Sequence, residues 1–351
     1  MQKTVVNSAE LALAPLLLQN HHGLKVEILP WGATISSILW HGQELTLRQP
    51  SLADYQHNPG YLGASIGRYA NRIAGGKLQF RQQIFTLDTA GGEHCLHGGQ
   101  GFSQRLWQVL SQSETEVELF LHSPAGDSGF PGDLSVWQQI KLVDCAVSIS
   151  YRASTETATV VNLTNHCYFN LDGSAQCSAA ERLAEARPAA SSQTDTAQHW
   201  LQIYSDQFLP VTASLIPTGQ RQAVAGSAFD FRQPCRIAER LALVDPQLAL
   251  TGGFDHCFIV DNPEQTLRPV AKLTSARQDL SLTVSSTMPG LQFYGGHALG
   301  APFTARQGLC LEAQFWPDAP NRADFPSTTL QQGQVWQQQI VYAFERHLVE
   351  V

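Results

Sequence analysis

Apolar and polar residues alternate through "VWQQIKLVDCAVSISYRAS" (136–154), and the same rhythm returns in "GLKVEILPWGATISSILWHG" (23–42), "ETEVELFLHS" (114–123) and "DLSLTVSST" (279–287). A period of two places one set of side chains on each face of a strand. The runs break at turn-forming residues, at Pro30 and Gly32, in "AGDSGFPGD" (125–133) and in "DGS" (172–174). Strands punctuated by turns, without intervening helical periods, predict an all-β fold, an antiparallel sandwich or barrel. At 351 residues and 43% hydrophobic, the chain can bury a large core as one unit, so a single domain over 1–351 is expected. "SAQCSAAERLAEARPAASSQTDTAQ" (174–198) stands apart in its Ala, Ser and Gln content and reads as a surface insertion, with two helical turns in "AAERLAEA" before Pro188.

Charged residues make up only 15% of the chain and the net charge is −8, which argues against nucleic acid or an anionic membrane as partner. "LALAPLLL" (11–18) is too short to span a bilayer and contains Pro15; it also lacks the basic leader and cleavage site of a signal peptide. The seven cysteines are odd in number and show no CxxC spacing. Reduced thiols, and so a cytoplasmic protein, are expected.

Several short stretches place polar groups where a packed strand would not. In "VVNLTNHCYFNL" (160–171) the alternate positions Asn162, Thr164, His166, Tyr168 and Asn170 form a polar row that either meets water or lines a wet pocket. "GLCLEAQFWPDAPN" (308–321) has an apolar face of Leu309, Leu311, Ala313 and Phe315, and a second face of Cys310, Glu312, Gln314 and Trp316. "EHCLHGGQGF" (93–102) sets His97 before two glycines, which let backbone and ligand approach closely. Asn71 and Arg72 in "GRYANRIAGGKLQF", Asp255 in "TGGFDHCFIVDNP" and Gln292 in "MPGLQFYGG" complete the set. Taken singly, each has a plainer explanation: a hydrogen-bonded core histidine, a surface glutamate, a turn aspartate, a strand amide. His94, His97, His166 and His256 supply metal-donor types, but the ligand spacing of a metal site is missing, so none is expected. No phosphate-loop lysine occurs in "GASIGR" or "GGQGF".

In order along the chain stand "NR" (71–72), "LHGG" (96–99), "GFPG" (129–132), "TNHCYFNL" (164–171), "LIPTG" (215–219), "FDF" (229–231), "FDHCF" (254–258), "PGLQFY" (289–294) and "EAQFWPDAPN" (312–321). Together they resemble the aldose 1-epimerase (galactose mutarotase) family. The resemblance implies a β-supersandwich of large antiparallel sheets and cofactor-free interconversion of the α and β anomers of a free hexose such as galactose or glucose. It implies Glu312 as catalytic base, His166 as catalytic acid, and Asn71, Arg72, His97, Tyr168, Asp255 and Gln292 as residues that position the sugar. Trp316 or another aromatic is expected to stack on the sugar. Mutual attraction is expected to lower the pKa of Glu312 and raise that of His166. The family usually has Asn where His94 stands and Glu where Gln220 stands, a shorter stretch near 174–198, and a Gly-Asn step in place of "YGGHAL". These departures bear on sugar preference and not on the acid and base. The partner implied is a small-molecule substrate, bound by a monomer or homodimer. A hexose-6-phosphate epimerase would need a basic cluster at the cleft, and only Arg72 is basic among the matched residues. A non-catalytic sugar-binding protein on the same fold has no need of both Glu312 and His166.

Overall fold

The computed structural model describes residues 14–173, 195–262 and 264–347. Its largest sheet has nine strands, in the spatial order Gln108–Gln112, Glu116–Ser123, Leu134–Val143, Ala146–Ser154, Val335–Arg346, Leu280–Ser286, Arg268–Thr274, Trp200–Ile203 and Cys235–Arg236. Every neighbouring pair is antiparallel. The alternation read from the sequence is the cause. Val136 and Ile140 lie directly opposite Ala153 and Ile149, and all four are buried while their chain neighbours are not. One continuous core cluster runs from Leu18 to Phe344 and joins this sheet to the others.

The second sheet has six strands: β1 (Tyr168–Phe169), β2 (Gln207–Phe208), β3 (Gln222–Ala223), β4 (Asp255–Ile259), β5 (Gly290–Tyr294) and β6 (Leu309–Gln314). Their spatial order is β1-β6-β5-β4-β2-β3. Leu309, Leu311 and Ala313 of β6 belong to the core cluster. Cys310, Glu312 and Gln314 take the opposite face, as their alternation requires, yet they too are buried. The polar face of this strand is covered and does not meet bulk water. A four-stranded sheet of Leu16–Gln19, Leu24–Leu29, Thr34–Trp40 and Gln43–Glu44 completes the larger elements. Pro30 and Gly32 separate its two middle strands where the sequence placed a break.

The stretch 160–171 differs from its expected single strand. It makes three short pairings: Thr159–Val160 with Thr329–Leu330, Thr164–Asn165 with Ser65–Ile66, and β1 with β6. Side-chain amides satisfy backbone groups between these ladders. Asn162 accepts from the Phe315 N–H (2.8 Å) and donates to the Ala70 and Phe315 carbonyls, and Asn170 donates to the Gln307 carbonyl (2.8 Å). Part of the polar row is therefore internal scaffolding. Two short helices, Ile237–Leu241 and Pro246–Thr251, precede β4, the second capped by Asp245 at its start and by Gly252 (φ +74°) at its end. Residues 174–194 of the expected insertion, with its proposed helix, lie outside the described residues; the last part forms a 3₁₀ turn at Thr196–Gln198. Among the described residues no helix is long and apolar enough to cross a membrane.

Candidate active site

Cross-strand register assembles the floor of the site. Gln292 of β5 lies directly opposite Glu312 of β6, and Asp255 of β4 lies opposite Tyr294 of β5. Directly opposed residues share a face, so Asp255, Gln292, Tyr294, Cys310 and Glu312 all project from one side of the sheet. The Gln292 amide donates to Asp255 Oδ1 at 2.6 Å, which fixes both side chains. An aromatic layer backs β4: Phe254 stacks on Phe293 (5.0 Å between centroids) and Phe231 meets Phe254 edge-on (5.2 Å). That packing holds Asp255 at the edge of the floor.

On the other flank, Tyr168 of β1 pairs with Cys310. Carrying this antiparallel register two residues back sets His166 opposite Glu312. His166 Nε2 stands 3.7 Å from Glu312 Oε2, and both side chains are buried. The other ring nitrogen, Nδ1, lies 3.4 Å from Cys310 Sγ. Burial pushes the His166 pKa down to about 4. Burial also holds Glu312 well above the usual carboxylate range, with Asp255 adding to the rise and Arg72 opposing it. These directions reverse the expected ones. At 3.7 Å the pair makes no direct hydrogen bond, and the loss of water from both groups outweighs their attraction. Both shifts favour the neutral forms, a carboxylic acid and a neutral imidazole.

His97, Asn71 and Arg72 arrive on a two-residue ladder in which Arg72–Ile73 pairs with Cys95–Leu96. Asn71 (φ +66°) and His97 (φ +53°) both adopt the left-handed conformation. The Asn71 N–H donates to His97 Nδ1 at 3.1 Å. Nδ1 must therefore be the bare nitrogen, and Nε2 carries the proton of the neutral ring. Burial, with the positive charge of Arg72 and the nearby His166, keeps His97 neutral, its pKa well below 6.5. It enters the site as an N–H donor. The glycines after it bring backbone close to backbone: a Cβ on Gly98 (φ +80°) would lie 2.4 Å from the Gly67 carbonyl oxygen. Beneath this loop the buried Arg68 guanidinium donates to the carbonyls of Ser123, Pro124, Pro131 and Gly132 and to the hydroxyls of Ser123 and Thr159. The "GFPG" stretch thus braces the Asn71–Arg72 loop and takes no direct part in the site.

All eight residues singled out in the sequence converge. His97 and His166 lie 5.4 Å apart between ring centroids, and His166 and Tyr168 lie 5.0 Å apart. Arg72, half-buried, acts on Glu312 and His97 through its charge. Tyr61 also belongs here, with its ring 4.6 Å from His97 and 5.9 Å from His166. Nothing marks it in the sequence beyond an aromatic set in the turn "NPGYLG". Trp316 is elsewhere: it packs among Cys257 and Phe325 and donates to the Pro289 carbonyl at 2.9 Å, so it presents no face to a sugar. Of the other histidines, His256 is a core group bonded to the Asp255 N–H and to Gln247, and His94 accepts from the Gly75 N–H. Ligand atoms of His97, His166 and Glu312 all lie within 4.8 Å of one another, a metal-like grouping. A neutral His97 protonated at Nε2 has no lone pair to offer a metal there, so the donor set fits a hydroxylated ligand better.

A strand-built floor thus brings together an imidazole–carboxylate pair and neighbouring amide, carboxylate and N–H groups on a fold of the galactose mutarotase-like class. The sequence profile described as aldose 1-epimerase matches residues 15–343. The chain is 38% identical over 336 residues to the aldose 1-epimerase of Escherichia coli K12, covering 90% of this chain and 92% of that one. It is 36% identical over 327 residues to the galactose mutarotase of Bos taurus, covering 89% and 88%. The solved structure of an aldose epimerase homologue from C. elegans superposes with a TM-score of 0.82 at 26% identity, covering 95% of this chain and 99% of that one. The chain belongs to the aldose 1-epimerase family, and its activity is that of an isomerase interconverting the α and β anomers of aldoses.

Proposed function

We propose that the chain performs this reaction on free hexoses such as galactose and glucose, with Glu312 as the base and His166 as the acid. The observation that carries this reading is the 3.7 Å separation of two buried titratable groups, His166 and Glu312, at the floor of one sheet. Ring opening takes the proton from the anomeric hydroxyl and delivers one to the ring oxygen. Rotation about the C1–C2 bond and closure on the other face reverse both transfers. A carboxylate and an imidazolium hold the same total proton as a carboxylic acid and a neutral imidazole, so substrate binding can redistribute it without exchange with solvent. Sugar hydroxyls donating to the carboxylate would replace lost water and favour the ionised pair. The reaction then restores that pair without a cofactor.

Asn71, Arg72, His97, Tyr168, Asp255 and Gln292 hold the sugar. Of these, Asp255 and Gln292 are pre-set by their own hydrogen bond, and His97 offers its Nε2–H to the ring oxygen or a hydroxyl. A free sugar is favoured over a hexose 6-phosphate because Arg72 is the one cation in this set. Similarity to the galactose mutarotase of Bos taurus supports galactose as a substrate. The site draws its residues from one chain, which suffices as a monomer or as each half of a homodimer. We read the chain as one catalytic unit. Its described cysteines, all unpaired, accord with the cytoplasm.

Polarimetry on freshly dissolved α-D-galactose tests the reading. Acceleration well above the spontaneous rate is expected, with little turnover of glucose 6-phosphate. Full activity in a folded Glu312→Gln variant would remove the base; preference for the phosphorylated sugar would move the substrate class.

A further inference from the structure

We propose that Cys310 is a positioning residue for His166, its sulfur accepting the Nδ1–H of the imidazole so that proton traffic is confined to Nε2. The proposal rests on the reading of His166 as the acid.

Cys310 precedes Glu312 by two residues on β6 and projects from the same face, between Tyr168 of β1 and Tyr294 of β5. It is fully buried, and its Sγ lies 3.4 Å from His166 Nδ1. Burial, with the negative charges of Glu312 and Asp255 nearby, holds the thiol well above its ordinary pKa. It stays S–H, so it is neither a thiolate base nor a nucleophile. What it retains is a lone pair on sulfur.

An imidazole that gives its Nε2 proton to a ring oxygen and later takes it back must keep the proton on Nδ1 throughout. That proton needs an acceptor, and sulfur supplies one, supported by the carbonyl of His166 itself. The choice of a weak acceptor has a consequence. A carboxylate at this place would stabilise the imidazolium and blunt its acidity. Sulfur orients the ring while leaving the imidazolium ready to donate to a poorly basic ether oxygen. The other groups facing the ring are Glu312 from β6, Tyr168 from β1, and Tyr61 and His97 from the loops above. Arg72 and Asp255 act at longer range through Glu312. None of these meets Nδ1 within hydrogen-bond distance among the described residues.

The test combines kinetics with nitrogen NMR. In Cys310→Ala, kcat should fall about tenfold with KM for galactose within about twofold, the pattern of a lost transition-state orientation. Cys310→Ser should restore most of kcat and move the acid limb of the pH profile upward by roughly half a unit or more, since a hydroxyl accepts the Nδ1–H more strongly. In the unmodified protein, neutral His166 should show Nδ1 protonated and Nε2 bare. Variants that keep the original kcat and pH profile would overturn the proposal, as would a loss of thermal stability alone. An Nε2-protonated tautomer in the unmodified protein would overturn it without any variant. If His166→Asn is fully active, it is the catalytic reading that fails; if His166 is essential and Cys310 is indifferent, only the present inference fails.

Discussion

Asn71 and His97 hold each other by two hydrogen bonds: the Asn71 N–H donates to His97 Nδ1 at 3.1 Å, and the His97 N–H donates to the Asn71 carbonyl at 3.0 Å. Both residues sit in the left-handed region that side chains rarely occupy. The cost of that conformation falls on the two residues proposed to offer an amide and an N–H to the sugar. The result is a donor whose tautomer is set by the backbone before any sugar arrives.

That lock predicts how the site treats metal ions. Prolonged dialysis against a chelator should leave the mutarotation rate unchanged, because His97 has no free lone pair on the nitrogen that carries its proton. Calorimetric titration with zinc should give no tight stoichiometric binding. A rate lost on chelation and restored by zinc would contradict the assignment of His97 as a donor.

Glu312 and His166 should fail as a unit. Glu312→Gln and His166→Asn are each expected to lower kcat by roughly 10²–10⁴-fold, the usual worth of one positioned proton transfer. The double variant should be little worse than the poorer single one, because neither transfer is useful without the other. Polarimetric rates on three folded proteins, checked by circular dichroism, decide this; fully multiplicative losses would mean independent roles.

The burial-driven shifts set the pH profile of kcat/KM, which reports the free enzyme. The working pair holds one shared proton. On acidification a second proton must go to His166, whose affinity burial lowers to about 4. Activity should therefore persist through the ordinary imidazole range near 6.5 and fall only near 4. On the alkaline side the shared proton leaves the pair only above the raised pKa of Glu312. The two limbs belong to the coupled pair and not to single residues. An acid limb centred near 6.5 would show that attraction, and not desolvation, governs the pair.

Arg68→Met should destabilise the fold by roughly 3–5 kcal/mol, because the carbonyls of Ser123, Pro124, Pro131 and Gly132 would lose a buried charged donor. Burial lowers the pKa of this guanidinium only to about 10, so it is charged at neutrality. Urea unfolding gives the loss directly. A change within about 0.5 kcal/mol would place Arg68 among ordinary surface substitutions.

Tyr61→Ala should cost up to about tenfold in kcat/KM by freeing His97 from its edge-on ring contact, while Tyr61→Phe should stay near the original rate. Equal losses in both would point to the hydroxyl instead.

The sequence was most legible where chemistry and period agreed. The two faces of β6 were readable because Leu309, Leu311 and Ala313 alternate with Cys310, Glu312 and Gln314, and the chain there is one strand. The same logic overreaches at 160–171, where alternation cannot show that the backbone pairs with three different segments in turn or that Asn162 replaces missing ladder bonds. Resemblance to a known family named the site residues, while period and composition alone left each with a plainer explanation. The pKa directions were misjudged because a local stretch carries no sign of how much water the folded chain removes from Glu312 and His166. Tyr61 is not legible for a related reason, and Cys310 is legible only as a neighbour of Glu312 on its face, because what each touches lies across the fold, at 4.6 Å from the His97 ring and 3.4 Å from His166 Nδ1.

The strand Val335–Arg346 lies between Ala146–Ser154 and Leu280–Ser286, near the middle of the nine-stranded sheet. During synthesis both flanking strands emerge from the ribosome well before the one that joins them. Until it arrives, each carries an open hydrogen-bonding edge, the kind that recruits other chains. Nascent-chain protection and the yield of native protein should therefore hinge on this late arrival.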